Sequence, residues 1–76
     1  MLSNAIKDIR QRAFVSQEEF AKELSVSVST INRWETGKVR PNLSAMKRIK
    51  KFCEKNGLPF SNIEDEWRNF SLEDKK

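Results

Sequence analysis

Arg33 lies in a stretch, 28–35, whose outward residues are uncharged or basic, as a helix facing phosphates and base edges requires. A guanidinium carries a planar fork of N–H donors that matches a phosphate, or the O6 and N7 acceptors of guanine. Val28, Ser29 and Asn32 stand near it in helical register and add apolar, hydroxyl and carboxamide groups. Such groups touch thymine methyls, phosphates and base edges; they do not move protons. Catalytic groups are poorly supplied by contrast. The sequence has no histidine and one cysteine, Cys53, and it shows no Gly-rich nucleotide loop and no carboxylate pair with a supporting pocket. It therefore reads as a chain with no enzymatic activity, no metal site, no cofactor and no internal disulfide. Cys53 reads as a small buried hydrophobe in a patterned helix.

Seventy-six residues support one domain around one core. Fifteen Lys and Arg oppose eleven Asp and Glu, for a formal charge of +4, and the excess is unevenly spread. Residues 1–56 hold twelve basic and six acidic side chains, whereas 57–76 hold three basic and five acidic. The positive field thus belongs to the part that contains Arg33, which suits attraction to a polyanion. The apolar runs are far too short for a membrane span and no secretory pattern opens the chain, so the sequence-based expectation is a cytoplasmic, nucleoid-associated protein without membrane contact.

Periodicity divides the chain into five helices. Leu2, Ile6, Ile9 and Ala13 form an apolar stripe that predicts a first helix over about 2–14. Ser16 and Glu19 have capping-box spacing, and Phe20, Ala21 and Leu24 supply the inner face of a second helix over 17–24. Ser27 can cap a third, in which Ile31 and Trp34 point inward with Val26 of the turn. Gly37 and Pro41 mark a loop. A fourth helix begins at Asn42 or Ser44, with Leu43, Met46, Ile49 and Cys53 on its inner stripe, and it ends before Leu58. Ile63 and Trp67 pattern a short fifth helix from residue 60 or 61. The domain is expected to occupy 1–70, with 71–76 a frayed tail.

Helices two and three, joined by a tight turn, form a helix-turn-helix. Small Ala21 allows their axes to approach, and Leu24, Val26, Ile31 and Trp34 close the seam beneath them. The ordered succession Ser16-Gln17-Glu18-Glu19-Phe20-Ala21, Leu24-Ser25-Val26-Ser27, Ser29 to Glu35, Gly37-Lys38 and Pro41 resembles the phage repressor and Cro-like helix-turn-helix family, also called the XRE family. The similarity extends from residue 6 to about 63.

This resemblance implies an all-α, lambda-repressor-like five-helix domain that binds double-stranded DNA at a partly palindromic operator as a homodimer, and so a transcriptional regulator, with a repressor favoured. Carried across by position, Val28, Ser29, Asn32 and Arg33 would read bases. Gln17 would bond to a phosphate and orient the third helix, and Lys38 and Arg40 would lie in a loop that grips the backbone. Arg10 and Glu35 would form a largely buried ion pair between the first helix and the end of the third. Trp67, Phe70, Leu72 and the end of the fourth helix are the expected contributors to a dimer. Two residues depart from the family pattern, Ser25 and Phe14, each standing where Gly is common. A rival reading keeps the scaffold but uses exposed Val28, Trp67 or Phe70 to bind another protein, for instance as the antitoxin of a toxin–antitoxin pair.

The third helix is rich in β-branched and hydroxyl residues, which are poor helix formers. A synthetic peptide covering 26–37 should therefore give the circular dichroism of an unordered chain in plain buffer. A helical spectrum would show that local propensity suffices and that tertiary packing is not what holds this helix.

Overall fold

The computed structural model describes residues 1–70; the tail expected to fray at 71–76, with Leu72, lies outside the described residues. Five helices follow in order, α1 Leu2–Arg12, α2 Gln17–Leu24, α3 Val28–Glu35, α4 Leu43–Lys55 and α5 Ser61–Arg68, and there is no strand among the described residues. The class is all-α, as the periodicity implies. α3 lies against α1 and α2, while α1 also packs on α5 and α2 on α4.

Three of the five helices start at a side-chain cap. Ser16 Oγ accepts the Glu19 N–H while the Glu19 carboxylate accepts the Ser16 N–H, which completes the capping box. Ser27 caps α3 by accepting from the Thr30 amide, and Asn42 caps α4 by accepting from the Ala45 amide. The inner stripes meet in one core, with Ile6, Ile9, Phe20, Leu24, Ile31, Trp34, Ile49, Phe52, Cys53 and Ile63 all buried. Phe20 meets Phe52 edge to face at 4.9 Å, joining α2 to α4. Burial pushes the Cys53 thiol up to about 11, with the neighbouring Glu54 charge adding to the shift, so the group stays a neutral core residue at physiological pH.

Two expectations change. α1 stops at Arg12, since Ala13 is its cap and Phe14 has already turned left-handed. Leu43, read as part of the inner stripe of α4, is 67% exposed. It is the first residue of that helix, and side chains tilt toward a helix N-terminus. Leu43 thus projects past the turn that meets the core and lines a shallow groove with Met46, Phe60 and Trp67.

The first four helices all end in the same way. After α1 the Phe14 and Val15 amides donate to the Gln11 and Arg10 carbonyls, and after α2 the Ser25 and Val26 amides donate to those of Lys22 and Ala21. Gly37 and Lys38 repeat this on Trp34 and Arg33, as do Gly57 and Leu58 on Glu54 and Cys53. These are Schellman closures, and each needs a left-handed residue: Phe14 at φ 60°, Ser25 at φ 58°, Gly37 at φ 79° and Gly57 at φ 67°. Val15, Val26 and Leu58 follow three of these turns and pack against the core, whereas Lys38 follows the fourth and is exposed. Only glycine adopts this backbone without steric penalty, so Phe14 and Ser25 each carry about 1 kcal/mol of strain. Phe14, 93% exposed, recovers almost nothing by burial.

The position of α3 is set by a charged network beneath its C-terminal end. Arg10 Nε donates to Glu35 Oε2 at 2.7 Å and Arg10 Nη2 to Glu35 Oε1 at 3.0 Å, with the two side chains 12% and 3% exposed. Arg10 Nη1 also donates to the Val15 carbonyl, and Gln17 Nε2 donates to Glu35 Oε1. One carboxylate thereby holds α1, the α1–α2 turn and the start of α2 against the end of α3. Glu35 is the last residue of α3, where the helix dipole opposes a negative charge. The bidentate arginine fork offsets that opposition.

Stability measurements separate these contributions. In urea unfolding, Phe14→Gly and Ser25→Gly should each gain about 1 kcal/mol and should add when combined, because each relieves a left-handed residue at a separate turn. No gain would mean that the side chains repay their backbone strain. Glu35→Ala should cost about 3–5 kcal/mol, because it strands a desolvated guanidinium. Breaking the exposed Arg12–Asp8 pair should cost about 0.5 kcal/mol or less. Equal losses at the two pairs would show that the Arg10–Glu35 network is not special.

Candidate nucleic-acid interface

α3 is divided lengthwise by burial. Ile31 is fully buried and Trp34 is 4% exposed, and together they clamp the helix to the core. Val28, Ser29, Asn32 and Arg33 all lie exposed on the opposite side. The four candidate reading residues therefore share one outward face, and none of the described chain covers it. Among the described residues the Arg33 guanidinium and the Asn32 carboxamide have no side-chain hydrogen-bond partner or ion pair. Their donors and acceptors point to solvent with nothing intramolecular to satisfy.

Ser29 is less free. Its Oγ lies 3.1 Å from Ser27 Oγ, which also lies 2.9 Å from Thr30 Oγ1 and accepts the Thr30 amide. This hydroxyl cluster stiffens the first turn of α3 and leaves Ser29 with residual hydrogen-bonding capacity. Val28, at 39% exposure, opens the helix beside it.

The residues expected to touch the DNA backbone are in different states. Gln17 is half-buried at the start of α2, with its amide nitrogen committed to Glu35. The bond ties the start of α2 to the last residue of α3. Lys38 is exposed immediately after the Gly37 turn, and its amide closes α3 on the Arg33 carbonyl. Arg40 is exposed but held. Its guanidinium lies 4.2 Å from the Trp67 ring centroid, and Nη1 donates to the Trp67 carbonyl at 2.7 Å.

Two contributors escaped the sequence reading. Arg48, outside the inner stripe of α4, donates from Nη1 to the Leu24 carbonyl and fastens α4 to the end of α2. Trp67 and Phe70, read as exposed docking residues under the rival hypothesis, are half-buried and packed against the core. Trp67 Nε1 donates to the Pro41 carbonyl, so α5 is bonded to the loop after α3. No local pattern signals either contact, since the partners lie 24 and 26 residues apart.

Between α3 and α4 lies a polar groove lined by Thr30, Arg40, Asn42, Ser44 and Arg48. Two guanidiniums and several hydroxyl or amide groups line it, beside apolar Val26, Trp34 and Ala45. Among the described residues no group of His, Cys, Asp and Glu could hold a metal ion, and no helix is long and apolar enough to cross a membrane.

Comparison with known proteins agrees with this geometry. The family model described as helix-turn-helix matches residues 6–58. Over 47 residues the chain is 38% identical to the HTH-type transcriptional activator BcrR of Enterococcus faecalis, an alignment that takes in 62% of this chain and 23% of that protein. The chain thus spans about a quarter of the length of this relative. No solved structure matches. With the capped α2 and α3, the seam of Ala21, Ile31 and Trp34 and the matched residues all coinciding, this chain belongs to the XRE-type helix-turn-helix family of DNA-binding domains.

Proposed function

We propose that α3 enters the major groove of double-stranded DNA and reads bases through Val28, Ser29, Asn32 and Arg33. The observation that carries this reading is the uncovered face of α3, where Arg33 projects without an intramolecular partner while Ile31 and Trp34 bury the reverse side. A major groove about 12 Å wide admits a helix. Arg33 takes guanine O6 and N7 as a bidentate pair, Val28 touches a thymine methyl, and Ser29 and Asn32 bond to bases or to an adjacent phosphate. Gln17, Lys38 and Arg40 hold the backbone and set the register, so they select no sequence.

The same reading assigns the chain to a transcriptional regulator that binds a partly palindromic operator as a homodimer, because two copies of a single reading helix double the recognised sequence. Repression is the simpler outcome for a domain that only occupies its site. The Enterococcus faecalis relative is named an activator, so the direction of regulation depends on operator position and not on the reading face. The same reading places the domain in the cytoplasm, where such an operator lies.

Selection from a random duplex library tests the proposal. The wild type should yield a two-fold symmetric consensus, and sedimentation of the complex should give two chains per duplex. Arg33→Ala should relax the preference at one position of each half-site, at a loss of about 1–3 kcal/mol against the best sequence. Lys38→Ala should weaken all duplexes alike and lower the salt slope by about 0.9. A uniform loss on Arg33→Ala would assign that residue to the backbone, and the absence of any duplex binding would overturn the proposal.

A further inference from the structure

Arg40 and Trp67 are 27 residues apart in sequence and link the loop after α3 to the last helix. We propose that Trp67 is a positioning residue for DNA contact: it holds the Arg40 guanidinium ready for a phosphate without touching DNA itself. The inference rests on the backbone role proposed above for Arg40.

Trp67 clamps the loop in three ways. Its indole face carries the guanidinium at 4.2 Å, its carbonyl accepts from Arg40 Nη1, and its own Nε1 donates to the carbonyl of the next loop residue, Pro41. Pro41 is fully buried, so the end of the loop is seated in the core. Trp67 is itself anchored, since α5 inserts Ile63 into the core and packs on α1. A guanidinium has five N–H donors, and the fold engages one of those on Arg40. The same side chain lines the polar groove with Thr30, Asn42, Ser44 and Arg48. The remaining donors are thus available to an anion there while the indole fixes the plane of the fork.

An exposed arginine ordinarily surrenders its rotamer freedom when it binds a phosphate, which subtracts from affinity. Stacking on Trp67 transfers that loss to folding, before DNA arrives. α5 therefore contributes to affinity without carrying any residue of the reading face.

A double-mutant cycle on the selected duplex tests this. Trp67→Leu should weaken binding roughly two- to five-fold when Arg40 is present, as expected for an exposed cation–π contact. It should have no effect in an Arg40→Ala background, and Trp67→Phe, which keeps an aromatic face, should restore much of the loss. Equal weakening in both backgrounds would make Trp67 a general packing residue and overturn the inference, as would no weakening in either.

The stack can also be read in the free wild-type protein, independently of how any variant folds. Its Arg40 Hε resonance should be shifted upfield by the indole ring current, and an unshifted resonance overturns the inference. Wild-type protein that shows no salt-dependent duplex binding defeats the DNA reading and this inference with it. Wild-type binding without coupling between the two residues defeats this inference alone.

Discussion

The fold turns on one carboxylate. Glu35 sits at the end of α3, nearly excluded from water, and accepts two donors from Arg10 and one from Gln17. A buried charge is tolerated only when it is paired and its lone pairs are occupied. This requirement brings α1 and the start of α2 to the end of α3 in a single geometry. Hydrophobic contact alone would let α3 roll about its axis, since Ile31 and Trp34 define a side but not an angle. A planar fork on a planar carboxylate supplies the missing direction.

That direction is what gives the exposed face its function. Rotating α3 by one residue would carry Arg33 to the seam position that Trp34 occupies, and Trp34 to that of Glu35. The Arg10–Glu35 pair is therefore no part of the proposed reading face and yet determines which side chains that face presents. Gln17 belongs to both systems, since it braces Glu35 from the first turn of α2, beside the surface on which a duplex would lie.

The turns have a related economy. Four consecutive helices close with the same left-handed residue, which lets short loops reverse the chain with their backbone groups bonded. Glycine fills two of the four positions, and Ser25 and Phe14 fill the other two under strain. Ser25 lies in the turn between α2 and α3, where the crossing angle of the motif is set. Val26 after it packs into the seam, so burial one residue later holds the strained turn in place.

Much of this was legible in the chain itself. The caps at Ser16 and Ser27, the inner faces of α1 to α3, and the outward set Val28, Ser29, Asn32 and Arg33 follow from signals within four residues of each other, because capping and helical periodicity are local. The Arg10–Glu35 pair was reachable only through family resemblance, as no spacing rule joins residues 25 apart. Leu43 misled because periodicity assigns a side of a helix but not the point at which the neighbouring helix ends. Arg48 on the Leu24 carbonyl and Arg40 on Trp67 were decided by tertiary structure alone. The sequence by itself determined the helices and the face that α3 turns outward; the docking of α4 and α5 decided which basic side chains are held by the fold and which remain for a partner, because that depends on where distant backbone carbonyls and one indole ring come to rest.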